Sequence, residues 1–397
     1  MESGLRSRRP QAAAGRTARI SQAIAGRDLT ALKQLARTGG GLETTRQRRR
    51  AWPLLLNFRA LTDSGDRTRA HGEEAQLALD VPRARLPDSP ELRRGDADAQ
   101  ARREQQLTRV VRAVLRAYPW LSYYQGFHEL ALVLLCVFGS ARPAAEGLRM
   151  VALFFVRDAM ASSLDHVMQQ LRLLYVLLGR CAPRVHARLA ALDVPPFFAI
   201  SWVLTWFAHD VHAFADVCRI FDFLIATPPL QVVYVAAALV CHFEADILAL
   251  EPDFAAVHSA LAQLPARVAD WTPVLEHAWR LSEDCSPTKL QHLGACHLPR
   301  LSAVNTFDAT WMRLDPARPL RFNALVPVCD RHPLADTAEA SSAADSHMAR
   351  VIDLTSTAQK ARALAAHYRW PLVVATVASA TVLVYAWLLM LQLQLTS

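Results

Sequence analysis

The spacing of apolar and polar residues follows the period of an α-helix along most of the chain. Residues 98–118 and 164–178 each carry apolar side chains three and four positions apart, as one face of an amphipathic helix requires. Residues 130–138 are apolar at every position, which predicts a buried central helix. Residues 196–208 and 230–241 are apolar runs of 13 and 12 residues, too short to cross a bilayer, and we interpret them as core helices. Because strand-type alternation is scarce, the sequence predicts an all-α body.

Residue types at the ends of these segments indicate where helices begin and end. Asp28 is a suitable N-cap for a short helix over residues 29–36. Gly179 follows the apolar stripe of residues 164–178 and is expected to end that helix. Residues 77–90 contain several prolines and predict an extended or loop segment instead of a long helix.

The C-terminal end of the chain differs from the body. Residues 370–391 form a run of 22 residues without a charge, long enough as a helix to span a hydrocarbon layer of about 30 Å. Lys360, Arg362 and Arg369 precede this run, and no charge follows it. The positive side is therefore the N-terminal side, which places the body in the cytosol. We interpret residues 370–391 as a single transmembrane tail anchor.

Charge and composition divide the rest of the chain. Residues 1–50 have a net charge of +9, and the remaining residues are close to neutral. Arginine outnumbers lysine 41 to 3. This bias is typical of a GC-rich genome and is poor evidence for nucleic-acid binding. We predict a basic disordered segment over 1–27, one helical domain over 28–283 and a linker of mixed order over 284–359.

Several classes of function lack their sequence signals. The seven cysteines form no C-x-x-C pair, which suits a reducing, cytosolic compartment. A P-loop, a G-x-G-x-x-G sequence and a G-x-S-x-G sequence are all absent. This argues against a nucleotide hydrolase, a Rossmann enzyme and an α/β-hydrolase. His209 and His212 suggest a metal or acid–base site, but a pair without a third ligand favours a structural role at a helix end.

Three short motifs occur in order within the helical body. The first is R-x-x-x-W, the second is an aliphatic residue followed by x-x-D-x-x-R, and the third is Y-x-Q before a glycine. They comprise Arg48 and Trp52; Leu77, Asp80 and Arg83; and Tyr123, Gln125 and Gly126. A glutamine amide in such a position is able to orient a water or a phosphate oxygen, or it simply precedes a helix. A permanently charged, planar guanidinium suits contact with phosphate.

In this order and spacing the motifs resemble the TBC domain of Rab GTPase-activating proteins. The resemblance covers about residues 28–280 and includes two later segments, residues 202–207 and 219–224. It implies a multi-helix TBC domain, followed here by the linker and the transmembrane helix. It also implies an activity in trans: the chain supplies catalytic residues to a GTPase and has no nucleotide site of its own.

The resemblance assigns a role to each motif residue. Arg83 is similar to the arginine finger of the family, and Gln125 to the glutamine that positions water in place of the GTPase's own glutamine. Asp80 is implied to orient Arg83, and Tyr123 to support the loop of Gln125. Arg85 lies two residues beyond the finger position, but the spacing from Asp80 favours Arg83.

The remaining matched residues are implied to be structural. Arg48 and Trp52 brace the finger loops, and Arg219 and Asp222 form a packing pair. The family acts without a cofactor of its own, because GTP and magnesium belong to the partner GTPase. We expect a Rab of endoplasmic reticulum to Golgi transport as partner, and an anchored location in the endoplasmic reticulum or early Golgi membrane. The alternative is a non-catalytic membrane adaptor that binds Rab-GTP.

Overall fold

The computed structural model describes residues 8–58, 69–84, 97–311 and 313–315. These residues contain helices and no β-strand, so the predicted all-α class is confirmed. The first six α-helices are α1 (Arg8–Ala25), α2 (Leu29–Arg37), α3 (Thr45–Leu55), α4 (Glu74–Asp80), α5 (Ala97–Ala117) and α6 (Phe127–Phe138). The next six are α7 (Ala141–Phe154), α8 (Asp165–Cys181), α9 (Pro183–Ala191), α10 (Ile200–Thr205), α11 (Phe214–Ile225) and α12 (Gln231–His242). The last six are α13 (Glu244–Ala249), α14 (Phe254–Ala262), α15 (Leu264–Arg267), α16 (Trp271–Asp284), α17 (Pro287–Leu293) and α18 (Ala303–Trp311).

The apolar helices predicted from the sequence lie at the centre of this fold. In α6, ten of the twelve residues are buried, as expected for a helix that is apolar on all sides. Helix α12 is buried to the same extent and packs against α8 and α16. The amphipathic segment 98–118 forms α5, which packs against α6 and α7. Burial of apolar surface on this scale is the main stabilising contribution to the fold.

Two of the helix predictions need correction. Helix α8 does not end at Gly179 but continues to Cys181, and the chain turns only before Pro183. A glycine is tolerated within a helix, whereas proline at the start of the next helix favours a break. The apolar run 196–208 is likewise not one helix, since it divides into a short 3₁₀ helix (Pro196–Ala199), helix α10 and a tight turn.

The N-terminal segment was predicted to be disordered, and over residues 8–25 this prediction is wrong. Helix α1 places Ile20 and Ile24 in the core. The Arg16 guanidinium donates to the carbonyl oxygens of Leu35 (2.5 Å) and Thr38 (2.6 Å) at the C-terminal end of α2. A basic side chain there satisfies carbonyl groups that the helix leaves unpaired. The arginine-rich composition concealed this packing function.

The linker predicted over 284–359 also needs correction in its first part. Helices α17 and α18 pack on the body, with Leu290 and Phe307 buried. The buried Asp158 carboxylate accepts hydrogen bonds from Ser302 Oγ (2.5 Å) and from the Ala303 backbone N–H (2.7 Å), which holds the start of α18. The folded body therefore continues beyond the boundary predicted at residue 283.

None of the described helices combines the length and the apolar composition of a bilayer span. The predicted tail anchor over 370–391 lies outside the described residues.

Candidate functional site

Arg83 lies on a helical element, not on the extended segment predicted from the prolines. Helix α4 continues directly into a 3₁₀ helix (Val81–Arg83). Pro82 fits there because the first residues of a helix do not need their N–H groups for intrahelical bonds. Leu77 and Val81 are buried against the body, whereas Arg83 is exposed. The element therefore anchors itself by its apolar residues and presents the guanidinium to solvent.

An ionic cluster fixes helix α4 to helix α5. The Glu74 carboxylate accepts from Arg116 Nε (2.6 Å) and Arg116 Nη2 (2.7 Å), and it pairs with Arg112 Nε (2.9 Å). The hydrogen bonds from Arg116 lower the pKa of Glu74 to about 2, and the charge of Arg112 adds to this effect. Bidentate guanidinium–carboxylate pairs define an orientation as well as a distance. The cluster therefore fixes α4, the helix that directly precedes the 3₁₀ turn carrying Arg83.

Asp80 makes no hydrogen bond or ion pair with Arg83 in the described structure, so no direct contact accounts for the orienting role that the resemblance implies. Its carboxylate is buried and accepts from the Tyr123 hydroxyl (2.9 Å) and from Gln76 Nε2 (3.0 Å). Within the described part of the chain, Arg83 makes no hydrogen bond or ion pair. The turn from α4 into the 3₁₀ helix directs Asp80 inward and Arg83 outward. Asp80 instead connects the second motif to the third.

The Tyr123 hydroxyl is the centre of a short chain of hydrogen bonds. It donates to the Asp80 carboxylate, so its oxygen accepts from His128 Nδ1 at 2.8 Å. This assignment follows because a carboxylate only accepts and a hydroxyl has one proton. Burial lowers the pKa of His128, which keeps the imidazole neutral, and burial together with the neighbouring Asp80 raises the pKa of Tyr123. Through its hydroxyl, Tyr123 therefore connects the segment before Gln125 to Asp80 and His128.

Gln125 projects from a loop whose neighbouring residues are held in place. The Tyr123 backbone N–H donates to the Glu73 carboxylate, and the Tyr124 hydroxyl donates to the Leu204 carbonyl oxygen (2.9 Å). Gln125 itself is exposed, and no hydrogen bond to its side chain occurs among the described residues. A rigid loop with one free amide is suited to contact with a separate molecule.

Gly126 is required by both the backbone and the packing. Its φ of 109° is a conformation that residues with a Cβ rarely adopt. A Cβ at this position would lie 2.9 Å from Thr205 Cγ2. The glycine therefore permits close approach of the Gln125 loop to the end of α10.

His209 and His212 do not converge on a common site. Both side chains are exposed, but His209 Nδ1 lies 2.8 Å from Glu129 Oε1, and His212 does not take part in this contact. In the described residues no group of three or more His, Cys, Asp and Glu side chains is close enough to hold a metal ion. The geometry favours the structural interpretation of His209, with Glu129 as the partner that the sequence did not indicate.

Arg48 and Trp52 meet on Asp222, deep in the core. Arg48 Nη2 donates to Asp222 Oδ2 (2.8 Å), and Trp52 Nε1 donates to Asp222 Oδ1 (2.8 Å). Arg219 and Asp222 both lie beside Gly41, but no hydrogen bond or ion pair between them occurs among the described contacts. Arg219 instead donates to backbone carbonyl oxygens at the end of α2, including that of Ala36 (3.0 Å). The first motif therefore joins α3 to α11 through Asp222.

The comparison with known families agrees with these motifs. A sequence model of the Rab-GTPase-TBC domain, the RabGAP-TBC family, matches residues 45–248, slightly more than half of the chain. The chain belongs to the RabGAP-TBC family. All three motifs lie within the matched range, and a Rab small GTPase is therefore the class of partner.

Individual relatives support the same assignment. TBC1 domain family member 20 from Homo sapiens is 32% identical over 317 residues, 77% of this chain and 77% of that protein. GTPase-activating protein gyp10 from Schizosaccharomyces pombe is 32% identical over 261 residues, 63% of this chain and 67% of that protein. The crystal structure of the Ypt/Rab-GAP domain of Gyp1p matches with a TM-score of 0.52 at 16% identity, over 66% of this chain and 97% of that one. This structural likeness shows a shared TBC fold.

Proposed function

We propose that this RabGAP-TBC protein accelerates GTP hydrolysis by a Rab GTPase, with Arg83 and Gln125 inserted into the partner's nucleotide site. One observation carries the proposal: both side chains are exposed and unengaged in the described structure, while the Asp80–Tyr123 hydrogen bond of 2.9 Å connects the elements that present them. The Arg83 guanidinium and the Gln125 amide are exposed, and buried neighbours fix the elements that carry them. This arrangement fits an active site that is completed by a second protein.

The two groups have complementary chemistry. Charge accumulates on the phosphoryl oxygens during GTP hydrolysis, and an arginine supplied in trans stabilises it, contributing roughly 10³–10⁵ in rate in the best-studied case. The amide of Gln125 accepts and donates hydrogen bonds and so aligns the attacking water. GTP and magnesium belong to the partner, and the TBC protein needs no cofactor of its own.

We further propose that residues 370–391 anchor the chain in the membrane of the endoplasmic reticulum or early Golgi, with the TBC domain in the cytosol. The support is the uncharged run of 22 residues preceded by Lys360, Arg362 and Arg369. A Rab of transport from the endoplasmic reticulum to the Golgi is then the substrate. An N-terminal fluorescent fusion is expected to mark these membranes, and deletion of residues 370–391 is expected to release it. Labelling of mitochondria would contradict the location.

The activity is tested by single-turnover GTP hydrolysis with a panel of Rab proteins and the full chain in detergent. With the best Rab, Arg83→Ala is expected to reduce the acceleration about 10³-fold and Gln125→Ala about 100-fold. Arg180→Ala and Gln105→Ala, which remove exposed side chains of the same types, are the matched controls. If either variant leaves the rate of GTP hydrolysis unchanged, the catalytic role proposed for the substituted residue is wrong.

A Rab whose own catalytic glutamine is replaced tests the role of Gln125 separately. If Gln125 positions the water, this Rab remains sensitive to the TBC protein. The alternative function, a membrane adaptor, predicts stable binding to GTP-loaded Rab without faster hydrolysis by any member of the panel.

A further inference from the structure

The last two residues of α10 and the turn that follows it, residues 204–209 together, support the Gln125 loop from within the same domain. The Leu204 carbonyl accepts from the Tyr124 hydroxyl at 2.9 Å, and Thr205 lies against Gly126. His209 Nδ1 then contacts Glu129 Oε1 at 2.8 Å. The turn thus meets residues on both sides of Gln125, in addition to the support by Asp80 and His128.

The backbone of this turn is itself unusual. Trp206 and Phe207 are consecutive residues in the left-handed region, with φ of 51° and 65°. Residues other than glycine persist there only where the surroundings enforce the conformation. Trp206 packs against Phe221 at 5.3 Å between ring centroids, and Phe207 packs against Trp271 at 5.4 Å. The aromatic core therefore fixes the path of the chain into His209.

The carboxylates next to His209 favour its imidazolium form, although 42% of its side chain is exposed to solvent. Glu129 is buried, and its Oε2 has no hydrogen-bond partner, so His209 alone compensates this carboxylate among the contacts of the described structure. Asp210 Oδ1 accepts from Ser201 Oγ at 3.2 Å, and its Oδ2 is also buried without a partner. The hydrogen bond to Glu129 raises the pKa of His209 to about 9, while burial raises the pKa of Asp210 to about 7. The neighbouring His128 is kept neutral by burial.

Glu129 connects this charge pair to the backbone next to Gln125. It lies in the first turn of α6, and its backbone N–H donates to the Gly126 carbonyl oxygen at 2.9 Å. A displaced Glu129 therefore disturbs the Gly126–Phe127 peptide group, one residue beyond Gln125. Because a misplacement of about 1 Å of a positioning group can reduce a rate about 100-fold, this coupling matters for catalysis.

We propose that His209 is a positioning residue for the glutamine finger, acting through Glu129. Its imidazolium holds the Glu129 carboxylate and thereby the backbone from which Gln125 reaches the attacking water. This rests on the proposed GTPase-activating function. His209 itself contacts neither the nucleotide nor the reacting water.

The experiment begins with GTP hydrolysis by the best Rab in the presence of the wild-type full chain. This first measurement alone decides whether the proposed function is correct. With acceleration established, His209→Ala is expected to lower kcat about 10-fold or more and to leave KM for Rab-GTP within about 2-fold. His209→Asn, whose amide nitrogen takes the place of Nδ1, is expected to recover part of the loss. His212→Ala is the matched control and keeps the wild-type rate, since His212 is an exposed histidine three residues away.

A double-mutant cycle separates positioning from general destabilisation. If His209 acts through Gln125, then His209→Ala causes little further loss in a Gln125→Ala background, and the two effects are strongly non-additive. Additive losses, or a folded His209→Ala variant with wild-type kcat, would overturn the proposal. If His209→Ala does not fold, Glu129→Gln replaces it in the same cycle, because this change removes the charge that His209 compensates and keeps the shape of the side chain.

Discussion

Asp80 and Arg83 are three residues apart, yet their side chains serve different parts of the molecule. Arg83 is exposed, while Asp80 receives the Tyr123 hydroxyl at 2.9 Å in a buried position. At the scale of single residues, the candidate site therefore consists of exposed side chains that lie next to buried ones. The buried side chains form hydrogen bonds with other parts of the fold. Tyr123 is the shared member of this network, since His128 also donates to its hydroxyl.

Tyr123→Phe tests this network. The change removes the hydroxyl between Asp80 and His128 and leaves both buried groups short of a partner, so we expect the free energy of unfolding to fall by about 1–3 kcal/mol. Urea denaturation measures this loss, and single-turnover hydrolysis is expected to slow in parallel. Tyr175→Phe removes a hydroxyl that donates to the Val194 carbonyl and is the control, with loss of stability but normal activity. Equal activities of the two variants would contradict the role of Tyr123.

Substitution of Asp222 tests how much the contact between the first motif and α11 stabilises the fold. It is completely buried and compensates Arg48 while accepting from Trp52 Nε1. Asp222→Asn leaves a buried guanidinium without its counter-charge, and we expect a loss of about 3–5 kcal/mol in the free energy of unfolding. Asp246→Asn, which breaks the exposed ion pair with Arg267, is expected to cost at most about 1 kcal/mol. Similar losses for both variants would mean that the buried pair contributes no more than a surface one.

At the scale of elements, the position of Arg83 depends on how α4 is fixed to α5. The α4 helix has only seven residues, too few to be stable by itself. Its buried residues and the Glu74 cluster with Arg112 and Arg116 hold it against the body. The position of Arg83, the proposed arginine finger, therefore depends on this contact.

Glu74→Gln is expected to lower the free energy of unfolding by about 1 kcal/mol at pH 7. It is also expected to reduce the acceleration of GTP hydrolysis by the Rab. The folded-state pKa of Glu74 is about 2, below its ordinary value of 4.5. The stabilisation by the carboxylate is therefore complete above pH 4.5 and is lost as the pH falls toward 2. The difference in the free energy of unfolding between wild type and variant, measured by urea denaturation, is expected to become smaller as the pH falls from 6 to 3. Glu104→Gln is the control, and a constant difference would contradict the charge pairing.

At the scale of the whole molecule, segments on both sides of the matched TBC range complete the body. Helix α1 precedes it, and α17 and α18 follow it. Trp311 of α18 packs on Phe155, with ring centroids 5.6 Å apart, and Phe307 is buried beside it. These helices cover apolar surface that the central helices would otherwise expose to water.

A chain limited to residues 28–283 is expected to be less stable than one covering residues 8–315. Loss of the buried residues of α1, α17 and α18 is expected to lower Tm by about 10 °C or more, measured by thermal unfolding followed by circular dichroism. A chain of residues 28–315 separates the contribution of α1 from that of the C-terminal helices. Equal Tm values for all three chains would mean that the terminal helices are peripheral.

Local sequence patterns determined much of this protein. The helical periodicity of 98–118, the apolar run in α6 and the cap at Asp28 depend only on neighbouring residues, and each predicted its element correctly. The motif spacings likewise indicated the family and pointed to Arg83 and Gln125 as candidate fingers. Such signals are readable because propensity, amphipathic spacing and capping act within a few turns of chain.

The tertiary structure decided which groups are partners. Asp80 and Tyr123 are 43 residues apart, Trp52 and Asp222 are 170 apart, and Glu129 and His209 are 80 apart. A periodic pattern reports whether a residue is buried but not which distant residue lies opposite it, because that depends on how the helices cross. For the same reason, composition concealed the packing of α1 and α18. Burial follows from the sequence of one segment, whereas a hydrogen bond between segments requires the fold of both.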